Sequence, residues 1–135
     1  MNIRNYAPSD YGQLKTLYLD SSFYGGQFDE ARDSEERLRK IGHDSILVAE
    51  DNGMIFGTVS LIDDGRVAWL FRFAVKDNDL KVARALKEKA IEVLKSRGHT
   101  QVLVYSPIDN KQLDRRYLDL GFNKGGDYTA YWQEV

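Results

Sequence analysis

Residues 66–105 read RVAWLFRFAVKDNDLKVARALKEKAIEVLKSRGHTQVLVY, and the spacing of their apolar side chains changes twice along this stretch. Alternation over Arg66 to Val75 predicts a strand with one shared apolar face, formed by Val67, Trp69, Phe71, Phe73 and Val75. Helical spacing follows from Leu80 until Gly98 ends it, and Gln101 to Tyr105 predicts a further strand. A strand, a helix and a strand in this order form a βαβ unit, so the two strands should be parallel with a right-handed crossover.

The segment before this unit predicts a three-stranded antiparallel meander. Two apolar runs, Ile46 to Ala49 and Ile55 to Ile62, flank Asn52-Gly53, and Asn-Gly between such runs is the strongest short-range hairpin signal. A second turn at Asp63-Asp64-Gly65 leads into the strand that begins at Arg66.

The two ends of the chain complete the predicted order β-α-α-β-β-β-α-β-α-β, an α/β fold with a central mixed, mostly antiparallel sheet flanked by helices. We expect one domain over residues 1–135. The remaining segments are two strands over Met1 to Tyr6 and Tyr128 to Gln133, and three helices over 11–20, 29–40 and 110–120.

Composition excludes several classes of function. The 135 residues include no cysteine, which excludes disulfides, thiolate metal sites and a thiol nucleophile and favours a reducing, cytoplasmic location. The net charge of −2 and the pI near 5.7 argue against a nucleic-acid partner. No apolar run approaches the roughly 20 residues of a membrane span, and Met1-Asn2-Ile3-Arg4 does not open a signal peptide, so we expect no membrane partner.

Metal catalysis and serine hydrolysis have no support in the sequence. HExxH, GxSxG and Walker patterns do not occur. His43 and His99 have neither a paired carboxylate nor a second histidine at ligand spacing, and they flank Gly42 and Gly98. We therefore expect no metal site and interpret both histidines as exposed loop residues.

The last predicted helix carries a pattern of fixed spacing: Asn110, then Tyr117, then Gly121-Phe122. With the element order, this pattern resembles the GNAT superfamily of acyl-CoA-dependent N-acetyltransferases over nearly the whole chain. The resemblance implies that Tyr117 is the general acid that protonates the departing CoA thiolate, and that Asn110 contacts the cofactor. An alternative remains, because Leu113, Tyr117 and Leu120 share one helical stripe and the ring would pack inward in any case.

The second pattern is the turn from the strand into the long helix. In the family it reads Gln/Arg-x-x-Gly-x-Gly/Ala, and its backbone amides hold the CoA pyrophosphate. Here Asp77-Asn78-Asp79-Leu80-Lys81 stands in its place. Two interpretations stay open: weak acetyl-CoA binding helped by basic side chains, or a simple helix cap. The resemblance implies these cofactor-binding residues: Phe73, Ala74, Val75, Lys76, Lys81, Val82, Ala83 and Arg84.

The predicted acceptor-binding residues lie in the loop from Asp20 to Phe28, where the family usually forms its acceptor pocket. Phe23, Tyr24 and Phe28 either line that pocket or pin the loop to the core. Asp20 to Glu36 carries six acids and one base, which suits a cationic amine but also complements a helix dipole. Arg72 is the one charge on an apolar strand and either reaches the cleft as a substrate contact or forms a salt bridge.

The resemblance implies an N-acetyltransferase that moves an acetyl group from acetyl-CoA to a primary amine of a small molecule, peptide or protein. No residue is identifiable as the general base. The alternative is a catalytically inactive binding or regulatory module of the same fold that has lost acetyl-CoA. A homodimer joined through Tyr128 to Gln133 is a third hypothesis, since the edge of that strand needs cover.

Overall fold

A five-stranded sheet in the order β1-β2-β3-β4-β5 is the frame of the computed structural model, which describes residues 1–21 and 30–135. The chain divides into two units, Met1–Val104 with the whole sheet and Tyr105–Val135 with the last helix. The strands are β1 (Asn2–Asn5), β2 (Ile46–Asp51), β3 (Met54–Asp63), β4 (Ala68–Val75) and β5 (Leu103–Val104). The helices are α1 (Tyr11–Asp20), α2 (Glu35–Arg39), α3 (Leu80–Ser96) and α4 (Lys111–Asp119).

The strand pairing confirms the predicted fold class. The pairs β1–β2, β2–β3 and β3–β4 are antiparallel, whereas β4 and β5 are parallel, as the βαβ pattern requires. The predicted hairpin turn is also present, with φ of 50° at Asn52 and 81° at Gly53. Positive φ at both central residues is the type I′ geometry that matches the twist of paired strands.

Strand β4 contains a β-bulge that changes which side chains share a face. Ser60 pairs with Phe71 and Thr58 pairs with Ala74, so Val59 alone faces two residues of β4, Arg72 and Phe73. Arg72 has a φ of 51°, in the left-handed region. The predicted single apolar face was therefore wrong at its end: the register places Phe71 and Ala74 on one face and Val75 on the other.

Each face of the sheet is covered by a helical layer. On one face α1 and α2 pack with the strands around a cluster of Leu14, Leu17, Tyr18, Leu38, Ile46, Val48, Ile55 and Ala74. Helix α3 packs mainly against β3 and presents a buried stripe of Val82, Ala83, Leu86, Ala90 and Leu94. Its amphipathic sequence explains the position, because the apolar residues concentrate on the side of the helix that this stripe occupies. No helix among the residues described is both long and apolar enough to cross a membrane.

Gly57 on β3 allows the close approach of α3. A Cβ at this position would lie 2.9 Å from Leu86 Cδ1, 3.0 Å from Val82 Cγ1 and 3.2 Å from the Ala74 carbonyl oxygen. We expect Gly57→Ala to lower the free energy of unfolding by about 1–3 kcal/mol through overpacking. Urea denaturation followed by circular dichroism measures this change.

Gly12 in α1 is the matched control for this substitution. A Cβ there has no neighbour within 4 Å, so Gly12→Ala should keep or raise stability through its higher helix propensity, by up to about 1 kcal/mol. Equal urea midpoints for Gly57→Ala and the unmodified protein would contradict the packing argument.

The predicted helix over 29–40 was too long. The structure has a short 3₁₀ turn over Glu30–Asp33 and then α2, because Ser34 takes an extended conformation (φ −67°, ψ 153°) and caps the second piece. The Ser34 hydroxyl accepts a hydrogen bond from the Arg37 N–H at 3.2 Å. Serine at such a position starts a helix rather than continuing one.

Within the second unit, α4 agrees with the predicted helix and ends before Gly121, whose φ is 93°. The predicted strand over Tyr128 to Gln133 was wrong, since residues 122–135 have no regular secondary structure. Tyr128 is 78% exposed and Tyr131 is 93% exposed. Alternating side chains predict a strand only where another strand supplies backbone partners and a face to bury, and the described strand ladders do not include this segment.

Candidate functional site

The part of β4 that extends beyond its pairing with β5 is the first element of the candidate site. The ladder between β4 and β5 covers only Trp69↔Leu103 and Leu70↔Val104. From Phe71 to Val75, β4 therefore continues without a β5 partner among the residues described. Its N–H and C=O groups on that side are able to hydrogen-bond an extended ligand that carries amides of its own.

The bulge lies within this open segment. It turns the backbone at Arg72 and Phe73, which strengthens the local twist and interrupts the β4 ladder. The pantetheine arm of acyl-CoA contains two amides in an extended chain, and the open edge fits a group of that kind. The sequence-predicted residues Phe73, Ala74 and Val75 all lie here, two of them half-buried and Ala74 buried.

A buried ion pair holds the bulge. Arg72 donates from Nε to Asp33 Oδ2 at 3.0 Å and from a terminal nitrogen to the same oxygen at 2.8 Å. The side chains are only 10% and 3% exposed. Of the two sequence interpretations of Arg72, the salt bridge is the one present in the structure, and it links β4 to the turn before α2.

The sequence did not identify Asp33 as the partner of Arg72. The sequence grouped it with the acids between Asp20 and Glu36, but its partner lies 39 positions away on β4. The one local signal was the isolated charge of Arg72 in an apolar strand, which requires a buried counter-charge.

The turn between β4 and α3 carries a carboxylate where the family places glycine-rich backbone. Asp77 and Asn78 have φ of 55° and 52°, so this turn reaches the left-handed region without glycine. The Asp79 carboxylate then caps α3, accepting from the Lys81 N–H at 2.9 Å and the Val82 N–H at 3.4 Å. The helix-cap interpretation of this turn is thus present in the structure.

Unit 1 therefore fits the pantetheine arm of acyl-CoA better than its pyrophosphate. The β4 edge suits the pantetheine arm, but the amides at the start of α3 that would hold a pyrophosphate already bind Asp79. Lys81 and Arg84 are exposed along the first turns of α3, and Val82 and Ala83 are buried against the sheet. Lys76 Nζ lies 5.5 Å from the centre of the Phe56 ring. The first backbone amides of α3 are therefore occupied by Asp79, and the exposed side chain of Lys81 lies beside them.

Tyr117 belongs to the second unit and has an apolar environment. Its ring meets that of Phe122 edge to face, with centroids 5.6 Å apart. Desolvation by burial raises the pKa of the Tyr117 phenol, and the positive charge of Arg116 opposes this only partly. A phenol with a raised pKa stays protonated at neutral pH, as a general acid requires.

Asn110 starts α4 and has a structural role there. Its side-chain oxygen accepts a hydrogen bond from the Leu113 N–H at 3.0 Å. The residue is exposed. Asparagine at an N-cap is common, so this part of the Asn–Tyr–Gly-Phe pattern has a folding explanation that stands beside the predicted cofactor contact.

The predicted acceptor residues Phe23, Tyr24 and Phe28 lie outside the residues that the structure describes. The acidic segment around them is partly neutralised by ion pairs. Besides Asp33, the carboxylates of Glu35 and Glu36 pair with Arg39 at the end of α2 and Lys40 directly after it, at 2.7 and 3.4 Å. Attraction of a cationic amine by this segment is therefore weaker than the sequence count indicates.

The expectation for His99 was wrong, whereas His43 is exposed as expected. His99 is 9% exposed, and its Nε2 lies 2.9 Å from Asp63 Oδ2, while Arg97 donates to the other Asp63 oxygen at 2.8 Å. The cause is the end of α3. Gly98 takes a φ of 91°, and the His99 N–H bonds to the Leu94 carbonyl, a Schellman motif that directs His99 inward.

A surface cavity of about 340 Å³ lies at the β1 edge and contains none of the predicted site residues. Its lining includes Tyr6, Leu38 and His43. Asn5 Nδ2 lies 2.9 Å from His43 Nε2 at its rim. In the part of the chain described, no group of three or more His, Asp or Glu side chains is arranged to hold a metal ion.

Comparison with known protein families agrees with the geometry of the fold and the candidate site. Residues 11–122 match the model of the acetyltransferase (GNAT) family. No curated protein sequence matches the chain.

Solved structures of acetyltransferases share the fold. Aminoglycoside 6′-N-acetyltransferase AAC(6′)-Ig of Acinetobacter haemolyticus has a TM-score of 0.75 at 17% identity, over 100% of this chain and 99% of that one. An acetyltransferase of Streptococcus agalactiae 2603 has a TM-score of 0.74 at 19% identity, over 98% and 92%. Aminoglycoside N-acetyltransferase AAC(6′)-Iy in complex with CoA has a TM-score of 0.76 at 14% identity, over 99% and 100%.

At these identities the structural likeness shows a shared fold, and the family is shown by the sequence match over most of the chain. The open β4 edge, the parallel β4–β5 pair and the Asn–Tyr–Gly-Phe pattern of α4 agree with it. The chain belongs to the acetyltransferase (GNAT) family.

Proposed function

We propose that this protein is an N-acetyltransferase that moves an acetyl group from acetyl-CoA to the primary amine of a small molecule or peptide. The observation that carries the proposal is the open edge of β4 next to the bulge, where β5 pairs only as far as Leu70. Backbone groups from Phe73 to Val75 support it, since they are able to pair with the donor's amides and polarise its thioester carbonyl.

The proposed reaction is direct transfer. The neutral amine attacks the thioester carbonyl carbon, the C–S bond breaks as the tetrahedral intermediate collapses, and the nitrogen loses a proton to solvent. The departing thiolate takes a proton from Tyr117, the proposed donor, and solvent then returns a proton to the Tyr117 phenolate. Its raised pKa supports this role, because the phenol keeps its proton until the thiolate forms.

The proposed class of acceptor, a primary amine, is supported by the structural neighbours. The structural neighbours include aminoglycoside N-acetyltransferases, whose acceptors are amines. The acidic segment before α2 supports a cationic amine as well, although three of its carboxylates are paired. A location in the cytoplasm is part of the proposal and rests on the absence of cysteine.

Purified protein incubated with acetyl-CoA and a panel of aminoglycosides, polyamines and peptide amines tests the proposal. We expect release of free CoA, measured with a chromogenic thiol reagent, together with a mass increase of one acetyl group on an acceptor. The chain contributes no thiol of its own, because it has no cysteine. Heat-denatured protein is the control for spontaneous transfer.

A second candidate is a binding module of the same fold that has lost acetyl-CoA. The observation that favours it is the Asp79 carboxylate on the amides of α3. Calorimetric titration separates the two candidates: the enzyme binds acetyl-CoA saturably, and the module shows no heat of binding at millimolar acetyl-CoA. Absence of binding together with absence of transfer would contradict the first proposal.

A further inference from the structure

We infer that Asp79 is a specificity-determining residue that excludes pyrophosphate from the start of α3, so that the donor is recognised through its acyl-pantetheine arm. The inference rests on the proposed function. It widens the donor class to acyl-pantetheine thioesters without a nucleotide.

The N-terminus of α3 is already occupied by an anion. The opening amides of a helix have no intrahelical partner and carry the positive end of the helix dipole, so they bind anions well. Here the anion is part of the chain. Asp79 Oδ1 accepts from both the Lys81 and the Val82 N–H, at 2.9 and 3.4 Å. A phosphate oxygen has to displace this carboxylate before it reaches either amide.

The turn before α3 has a backbone shape that places Asp79 at the capping position of the helix. Asp77 and Asn78 both have left-handed backbone, with φ of 55° and 52°. Aspartate and asparagine tolerate that region better than other residues that carry a side chain. The turn thus forms without the glycines that would expose backbone amides to a ligand, and it leads directly into the capping position.

The charged side chains of the turn balance one another. Asp77 and Asp79 bring two negative charges to the turn, and Lys76 and Lys81 bring two positive ones. Within residues 76–81 the charges therefore cancel, and the nearest further base is Arg84, one turn into α3. Lys76 and Lys81 offset the two aspartates, so the turn itself adds little net attraction for a pyrophosphate at physiological ionic strength.

The edge of β4 that is proposed to hold the pantetheine arm does not depend on this turn. The open segment from Phe71 to Val75 ends before Lys76, and its hydrogen-bonding groups belong to the backbone. Binding of an extended diamide there needs no particular side chain. The donor is therefore held mainly by the part of the molecule next to the thioester.

The experiment compares acetyl-CoA with S-acetyl-pantetheine as donors and CoA with pantetheine as ligands. For the unmodified protein we expect kcat/KM values and dissociation constants within about threefold of each other. In Asp79→Gly the two amides are freed, and we expect acetyl-CoA to gain about tenfold in kcat/KM and CoA about tenfold in affinity, as for one charge-assisted hydrogen bond. S-acetyl-pantetheine should not change.

Asp77→Asn is the matched control, because it removes the same charge from the same turn and leaves the Asp79 cap in place. We expect a gain of less than threefold for acetyl-CoA in this variant. A thermal unfolding curve for each variant checks that the fold is kept, since glycine is a tolerated N-cap.

A tenfold or larger preference of the unmodified protein for CoA over pantetheine, in binding or in kcat/KM, would overturn the inference and leave the proposed function intact. Equal gains in Asp77→Asn and Asp79→Gly would also overturn it, because charge alone would then explain the effect. If no acceptor is acetylated from either donor, the proposed function fails, and the calorimetric comparison of CoA with pantetheine still decides the role of Asp79.

Discussion

Tyr117→Phe is expected to lower kcat by a factor of about 10²–10⁴, the usual contribution of a general acid. The reason is that phenylalanine keeps the ring and its edge-to-face contact with Phe122 but has no proton to give to the thiolate. The free energy of unfolding should stay nearly constant, since the packing is unchanged. Steady-state kinetics with acetyl-CoA and the best acceptor amine, together with a urea melt, measure both quantities.

The pH profile adds a second readout for Tyr117. Burial raises the pKa of its phenol, so the acid form persists beyond the pH at which an exposed tyrosine ionises, near 10. The alkaline fall of kcat that belongs to Tyr117 is therefore expected above about pH 10 and should vanish in Tyr117→Phe.

The exposed tyrosines of the C-terminal segment are matched controls. Tyr131→Phe, at a side chain that is 93% exposed, should leave kcat and stability unchanged. Unchanged kcat in Tyr117→Phe would contradict the acid role and favour the alternative that the ring is only a packing element of α4.

Breaking the Arg72–Asp33 pair is expected to cost about 3–5 kcal/mol of stability, because either single substitution leaves a buried charge without its partner. This is a large share of the roughly 5–15 kcal/mol that keeps a typical domain folded. Asp33→Asn and Arg72→Met are the variants, and denaturant unfolding at pH 7 is the measurement.

The double variant Asp33→Leu with Arg72→Met separates this explanation from a loss of packing. With both charges removed, we expect most of the stability to return, as for buried ion pairs replaced by apolar residues of similar volume. Glu92→Gln is the control, since its ion pair with Lys89 is exposed and worth about 0–1 kcal/mol.

A role of Arg72 in substrate binding gives a different result. In that case Arg72→Met raises the KM for the acceptor and leaves the unfolding midpoint in place. Single variants that stay within about 1 kcal/mol of the unmodified protein would contradict the buried-pair explanation.

Local sequence patterns predicted much of the fold because they act over a few residues. Asn52-Gly53 fixed the hairpin, since both positions need positive φ. The apolar stripe of α3 and the glycine after it fixed the extent of that helix. The parallel pairing of β4 with β5 followed from the order strand, helix, strand.

Patterns failed where the outcome depends on a distant partner. The alternation over Tyr128 to Gln133 has the form of a strand, but no strand forms there. The histidine at position 99 has no local carboxylate, yet it pairs with Asp63, which lies 36 residues earlier on β3. Side-chain pairing across such distances is set by sheet register and helix termination together.

The sequence by itself determined the element order, the family pattern of α4 and the replacement of a glycine-rich turn by Asp77 to Lys81. The sequence left two interpretations of that turn open, and the three-dimensional structure shows the helix cap, because its backbone conformation brings the Asp79 carboxylate to two amides. The bulge of β4 is a tertiary feature, because it lies in the pairing with β3 and beside the Arg72–Asp33 ion pair. A left-handed arginine in the middle of a strand is costly, and it persists here with a buried ion pair to Asp33, a residue remote in sequence.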